Sequence, residues 1–256
     1  APTGTPLARV SRVVVLGGAG FLGSRAGTAL EREPGVSVEV ASRRSSLAVD
    51  LADESTFERL RGADLVIDIA NTTRSAPDAR AALDAERAAG AVILGAGIFT
   101  GVSNLLAHEA AESAGACHRV ELFIASSPFS GAGQGTVDLM ADALGQNAVS
   151  FEDGARVEHG PVAKGPGAPL PSGEAPSLLV SLAEQEMLAR GTGARAVRVH
   201  FAPKPSILAL AFRMIPAFLA RARAFRGLMR AYFRFLRTVL LSEKSSTTEL
   251  LVRARG

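Results

Sequence analysis

Cysteine, tryptophan and tyrosine are nearly missing from this chain of 256 residues, which has one Cys, no Trp and one Tyr. The single cysteine, Cys117, excludes an internal disulfide and any all-cysteine zinc site. The four histidines (His108, His118, His159 and His200) form no HExxH or similar pair, so no metal site is expected. Lysine is scarce as well: three lysines stand against 25 arginines. No basic stretch followed by an apolar core opens the chain, as a secretory signal would require. The longest uncharged run, Ala88–Ala107, is interrupted by Gly90, Gly95, Gly97 and Gly101. It reads as strand, loop and helix start rather than as a membrane span of about 20 apolar residues. The expectation is a cytoplasmic protein.

Hydrophobic residues make up 47% and charged residues 21%, the composition of a globular chain long enough for one or two domains. The charge is divided unevenly. Residues 1–189 hold 14 Lys and Arg against 23 Asp and Glu; residues 190–256 hold 14 against 2. An acidic front of net −9 argues against a nucleic-acid partner, and a basic tail of net +12 needs its own explanation.

Arg12–Leu16 is a short β-branched run that meets glycines at once, as a buried parallel strand does. A helix is expected over Gly23–Arg32, strands over Val36–Ala41, Asp64–Ala70 and Ala91–Leu94, and helices over Ser55–Leu60, Pro77–Ala89 and Gly101–Ala114. Strands alternating with helices imply right-handed βαβ units and a parallel sheet. The texture then changes. Arg119–Ser126 reads as a strand with one exposed face, Val137–Leu144 as a helix and Phe151–Glu158 as one strand. Gly160–Pro176 reads as a long loop, Leu178–Arg190 as a helix, Ala194–Phe201 as a strand and Thr247–Arg253 as a last strand, whose unpaired side suggests a further C-terminal piece. The predicted fold is α/β. Residues 10–117 form an N-terminal Rossmann-type parallel sheet, and residues 118–256 a second α+β domain for substrate or dimerisation, with a basic amphipathic helix over 206–241.

Gly18-Ala19-Gly20-Phe21-Leu22-Gly23 is GxGxxG between a predicted strand and a predicted helix, the context that gives this pattern meaning. Gly18 permits the tight turn, Gly20 lets the backbone approach a pyrophosphate, and Gly23 brings helix close to strand. The helix start then offers free N–H groups and a positive dipole end to the anion. Gly17, Gly18, Gly20, Phe21, Leu22 and Gly23 are therefore candidate cofactor-binding residues. An NAD site places an acid at the end of the second strand for the ribose 2′-OH. Here that position reads Ala41-Ser42-Arg43-Arg44, and Glu39 stands three residues too early. Ser42 and Arg43 suit a 2′-phosphate, so NADP is favoured over NAD. Asp50 falls where the adenine would lie.

GGAGFLGS also resembles the opening of extended short-chain dehydrogenases, but those need a Tyr with a Lys four residues on. The only tyrosine, Tyr232, has Leu at 236, so that proton-transfer pair is absent. A second glycine loop, Gly95-Ala96-Gly97 to Gly101-Val102-Ser103-Asn104, runs from strand to helix. Together with GGAGFLG, the acids after the second strand and Ile67-Asp68-Ile69-Ala70-Asn71-Thr72-Thr73, it resembles the saccharopine dehydrogenase-like oxidoreductases over about Val13–Ser126. The chain departs from that pattern twice. DLV and IDIAN run together where the family has a further strand–helix unit, and the sequence stops soon after Thr247–Arg253. The resemblance therefore implies a shortened or C-terminally truncated member.

The resemblance implies hydride transfer between a nicotinamide and an imine or carbonyl of a small-molecule substrate, which needs positioning and a proton source. Asp68, Asn104 and His108, the last one helical turn after Asn104, are the candidate catalytic residues, and Asn71 is a candidate for the cofactor. His200 and Lys204 could reach a substrate carboxylate. Arg223, Arg226, Arg230, Arg234 and Arg237 recur at spacings of three and four, with apolar residues on the other faces. This helix admits three readings: a core or homodimer helix with a solvated arginine face, a contact with anionic lipid or an apolar substrate, and docking on the acidic half of a partner subunit. Two further classes of function stay open beside the enzyme: a non-catalytic NADP-binding sensor or degenerate paralogue, and a peripheral membrane or interaction protein.

Overall fold

Arg12–Leu16 forms β1, and in the computed structural model it is the middle strand of a five-stranded parallel sheet. The structure describes residues 10–50, 53–69, 91–93, 101–127, 143–182, 184–239 and 247–256. Asn71, the expected helix at 77–89 and most of that at 137–144 lie outside these residues. The chain divides into two compact units, residues 1–97 and 98–256.

In the first unit β1 is followed by α1 (Phe21–Leu30), β2 (Ser37–Ser42), β3 (Leu47–Ala48), a 3-10 helix (Glu54–Leu60), β4 (Leu65–Asp68) and β5 (Val92–Ile93). The strand order is β3-β2-β1-β4-β5, with every pairing parallel. Val13, Val14 and Val15 are buried on both faces of the sheet, which is why this strand reads as a continuous apolar run. Val14, Leu16 and Val66 pack with Phe57 and Leu60 of the 3-10 helix. Asp53 caps that helix by accepting from the Ser55 N–H at 3.1 Å. β3 has only two residues, too short for any periodicity to show in the sequence.

The second unit contains α2 (Ser103–Ser113), β6 (Arg119–Ser126), β7 (Val149–Glu152), β8 (Ala155–Glu158), β9 (Lys164–Leu170), β10 (Gly173–Leu179), α3 (Glu184–Thr192), β11 (Ala196–Pro203), α4 (Ile207–Arg213), α5 (Ala217–Arg221), α6 (Arg223–Val239) and β12 (Glu249–Arg255). Its sheet runs β12-β6-β11-β10-β9. β6 and β11 are parallel, the other pairs are antiparallel, and the β7–β8 hairpin pairs onto β11.

Several sequence expectations are corrected here. The boundary falls at 97/98 rather than 117/118, because α2 buries Ser103, Ala107 and Ala111 on one stripe and Ala107 joins the second core. β6 has no exposed face. Val120, Leu122 and Ile124 enter one cluster, and Phe123 and Ala125 enter another with Ala168, Leu170 and Ala202. Phe151–Glu158 is not one strand. Asp153 and Gly154 both take positive φ, 49° and 81°, and turn it into a hairpin. An Asp-Gly pair is a signal for this kind of turn.

Gly160–Pro176, expected as loop, contains β9 and the start of β10. β9 is an edge strand, where proline's missing N–H is tolerated, and Pro176 sits at a register shift. Residues 178–179 complete β10, so the helix that follows begins only at Glu184. The expected helix over 206–241 is three helices, broken at Pro216, whose ψ of 138° is not helical, and at extended Ala222. β12 is paired with β6 along its whole length.

Candidate functional site

β1 ends at Leu16, and Gly17 turns the chain with φ 75°, a conformation that favours glycine. Its N–H donates to the Ala41 carbonyl at 2.8 Å, which ties the turn to β2. The Gly18 N–H then bonds the Val15 carbonyl (3.2 Å) and the Gly20 N–H the Gly17 carbonyl (2.9 Å). The three glycines of the motif have separate reasons. A Cβ on Gly18 would stand 2.8 Å from Val40 Cγ1, so this position must let β2 pass. A Cβ on Gly23 would overlap the Gly17 carbonyl and lie 2.6 Å from Gly18 Cα, so the helix could not sit against the turn.

Gly20 is different. Its φ of −80° and ψ of 172° are open to any residue, and a Cβ would meet only the Gly17 oxygen, at 3.1 Å. It is exposed and occupies the N-cap of α1. Ser, Thr, Asp or Asn would stabilise the helix there. The first turn of α1 has no side-chain cap and no acid, so its N–H groups and positive dipole end are left open. The Leu22 side chain is exposed.

This turn lies at the point where the strand order reverses. β2 pairs on one side of β1 and β4 on the other, and a crevice for ligands opens at the carboxyl ends of such strands. Asp68 ends β4 directly opposite Leu16, and the next N–H, of Ile69, donates to the Leu16 carbonyl at 3.0 Å. Asp68 is therefore placed beside the glycine turn.

At the end of β2, Ser42 orders the loop that carries the arginines. Its N–H donates to Ser45 Oγ (2.7 Å), and its own Oγ accepts from the Arg44 N–H (3.2 Å). Arg43 and Arg44 are exposed, and neither is paired with a carboxylate among the described residues. Glu39, the nearby acid, is held by the Arg12 guanidinium at 2.8 and 3.3 Å, which keeps its carboxyl below the usual range. Asp50 anchors the 3-10 helix through its backbone: its N–H donates to Thr56 Oγ1 (3.0 Å) and its carbonyl accepts from the same hydroxyl (3.1 Å).

The first unit thus carries the glycine turn directly after β1, Ser42 at the end of β2 with Arg43 next to it, Asp68 at the end of β4, and Asp50 in the loop before the 3-10 helix. Asn104 and His108 belong to the second unit. Asn104 Nδ2 donates to Met187 Sδ of α3 at 3.3 Å, and His108 is exposed and stands 3.3 Å from Glu112. His200 does not face outward. It is 2% exposed within β11 and stacks on Phe123 at 4.8 Å, with neither ring nitrogen hydrogen-bonded, and burial pushes its pKa down to about 4. Lys204 is ion-paired with Glu249.

Sequence reasoning missed Glu184. It opens α3, where an acid is ordinarily a solvated dipole partner, yet it is 1% exposed, and its Oε1 has no hydrogen bond. Burial raises its pKa to about 8. Among the described residues no group of three His, Cys, Asp or Glu is placed to hold a metal ion.

No protein-family model matches this chain, and no curated protein matches it in sequence. Solved structures do align with it. Apo saccharopine dehydrogenase (L-Glu forming) from Saccharomyces cerevisiae is 15% identical over 75% of this chain, with a TM-score of 0.47. The WlbA dehydrogenase from Thermus thermophilus, solved with NAD and α-ketoglutarate, is 16% identical over 94% of this chain and 80% of its own, with a TM-score of 0.34. An oxidoreductase from Agrobacterium radiobacter, solved with NAD+, L-tartaric acid and magnesium, is 16% identical over 75% of this chain and 66% of its own, with a TM-score of 0.33. The chain spans about half the length of the yeast enzyme, 54%.

Proposed function

We propose that the first unit binds NADP and that the protein is an oxidoreductase, moving hydride between the nicotinamide and an imine or carbonyl of a small molecule. The observation that carries this reading is Gly20. Its backbone conformation does not call for glycine, a Cβ there would press on a single atom, the Gly17 carbonyl oxygen at 3.1 Å, and the helix forgoes a stabilising cap. A ligand that comes close to the backbone at the α1 N-terminus accounts for both the glycine and the missing cap.

In this reading Gly17, Gly18 and Gly23 shape the turn, and the N–H groups of Phe21, Leu22 and Gly23 receive the pyrophosphate. Ser42 and Arg43 take the 2′-phosphate, because the one acid near them is engaged by Arg12. Asp50 lies toward the adenine. The cofactor supplies hydride when bound, and Asp68, beside the turn, holds or moves the substrate proton. The reading needs neither Asn104 nor His108.

The test is binding of NADPH and NADH side by side, read by NADPH fluorescence and by melting temperature. At a cofactor concentration a hundredfold above Kd, linkage adds about 2.7 kcal/mol, or roughly 5–10 °C for a chain of this length. NADPH is expected to give this shift at concentrations where NADH does not. Arg43→Ala is expected to weaken NADPH about tenfold or more and leave NADH unchanged, the loss of one hydrogen bond to a charged group. A protein that shifts with neither cofactor has no dinucleotide site. One that binds NADPH and turns over no carbonyl or imine is a nucleotide sensor.

A further inference from the structure

The sheet of the second unit has two faces. On one, Val120 and Val197 pack with Ala107, Leu188 and Phe212 of the helices. On the other, Phe123 and Ala125 are covered by Ala168 and Leu170 of β9, and the Ser172 N–H of the same hairpin donates to Glu249 Oε2 at 3.1 Å. The two rows that precede Phe123 on this second face are charged. The register sets Arg119 and Glu121 of β6 beside Arg255 and Arg253 of β12 on one side, and beside Ala196 and Arg198 of β11 on the other. Alternate residues of a strand share a face, so these side chains stand on the side of Phe123 and away from Val120. Glu152 joins them from β7, where its Oε1 accepts from Arg198 Nε at 2.8 Å.

Within these rows four guanidiniums meet two carboxylates, Glu121 and Glu152, so positive charge is in excess by two. Arg198 is paired with Glu152. Arg253 stands 3.9 Å from Glu121 and lies over the Phe123 ring, 5.7 Å from its centroid. The guanidiniums of Arg119, Arg253 and Arg255 donate no hydrogen bond to a described residue, although each offers five N–H donors in a planar fork. Arg119 and Arg255 are also direct cross-strand partners, and like charges so placed destabilise a sheet. The fold therefore carries an arrangement that its own packing disfavours. Arg119, Arg198 and Arg253 are half-buried and Glu121 is buried, so these charges act more strongly than on an open surface. Neighbouring strands lie about 4.8 Å apart and alternate residues of one strand about 7 Å apart, so Arg119, Arg253 and Arg255 are within reach of one small anion.

We propose that this end of the sheet face binds a small, doubly charged oxyanion of the phosphate type, either free phosphate or the phosphate group of a small molecule. The forks of Arg119, Arg253 and Arg255 donate to its oxygens, and its two negative charges offset the excess on the face. Arg198, held by Glu152, borders the site. Charge selects this occupant over a second copy of the face. A two-fold contact sets a surface against itself and would double the positive excess. The residues all belong to the second unit, and the site is independent of what the first unit binds.

Calorimetric titration of the whole chain with inorganic phosphate, at constant ionic strength, tests this. The expected result is saturable binding that sodium chloride at the same ionic strength does not reproduce. Arg119→Gln/Arg255→Gln is expected to weaken phosphate about tenfold per guanidinium removed, with a melting temperature equal to the parent's or higher. Phosphate bound elsewhere on the chain is common to parent and variant, so the difference reports this site. Glu121→Gln removes an acid and keeps the shape, and is expected to tighten phosphate about fivefold, a gain that partial unfolding cannot produce. Glycerol phosphate separates the two sources: tighter binding than phosphate assigns a phosphorylated small molecule, and equal or weaker binding assigns the free ion. No saturable binding, or parental binding by the folded double variant, overturns the proposal. Succinate binding tighter than phosphate overturns the phosphate assignment. A concentration-dependent dimer that the double variant abolishes, with no phosphate bound, overturns it in favour of self-association.

Discussion

Gly20→Asp is expected to weaken NADPH binding a hundredfold or more and to leave the fold as stable as before. The aspartate adopts the backbone angles of Gly20 without strain, and its Cβ meets one carbonyl oxygen at 3.1 Å. As an N-cap it gains a few tenths of a kcal/mol over glycine. Its carboxylate then occupies and neutralises the helix end that the proposed pyrophosphate needs. Gly23→Ala, three residues away, is expected to do the opposite. Its methyl group meets main-chain atoms of the turn and has no flexible side chain to push aside. The loss is expected to reach about 3 kcal/mol or more, or roughly 6–12 °C in melting temperature. Thermal unfolding and NADPH titration of the two variants check both statements. Undiminished binding by Gly20→Asp removes the dinucleotide site from the α1 N-terminus. Equal stability of Gly23→Ala refutes the packing reason for that glycine.

The second large effect concerns Glu184. Its folded pKa of about 8 lies above the unfolded value near 4.5, so between these pH values the unfolded chain is ionised while the buried carboxyl keeps its proton. Stability from this group is therefore complete below about pH 4.5 and is lost as pH rises toward 8, at up to about 1.4 kcal/mol per pH unit. Glu184→Gln removes the titration, so the variant should match the parent at pH 5 and exceed it clearly at pH 8. A stability difference that does not change between these pH values would show that Glu184 is charged in the folded protein. His200 acts with the opposite sign. Its folded pKa near 4 lies below the usual 6.5, so its contribution is present above 6.5 and is lost as pH falls toward 4. From these two groups alone, stability should be level between about pH 4.5 and 6.5 and fall on either side.

The first unit was largely legible because its signals are local. β1 appears at the residues expected, and the glycine turn joins it to α1 as the motif requires. A continuous Val run, a glycine that must turn and a glycine that must let a helix approach are each written within about ten residues. The reading failed where pairing across the sequence decides the outcome. β9 carries Gly165, Pro166, Gly167 and Pro169, all loop signals, and becomes a strand because β10 pairs with it at an edge. β6 looked half-exposed because Glu121 interrupts it, and it is buried on both sides because β9 and β11 supply the second cluster.

The sequence by itself determined that the first unit has a parallel sheet with a glycine turn at its centre, that an acid is missing from the end of β2, and that the basic charge gathers late in the chain. These follow from residue type and near-neighbour spacing, which survive in the folded state unchanged. Only the tertiary structure decided which glycine of the motif is least confined by packing, that Glu39 is taken by Arg12, that α2 joins the second core, and that Glu184 and His200 are shut away from water. Each of these depends on what a distant segment brings within a few ångströms. Burial and partnership are properties of that arrangement, and no local pattern of residues records them.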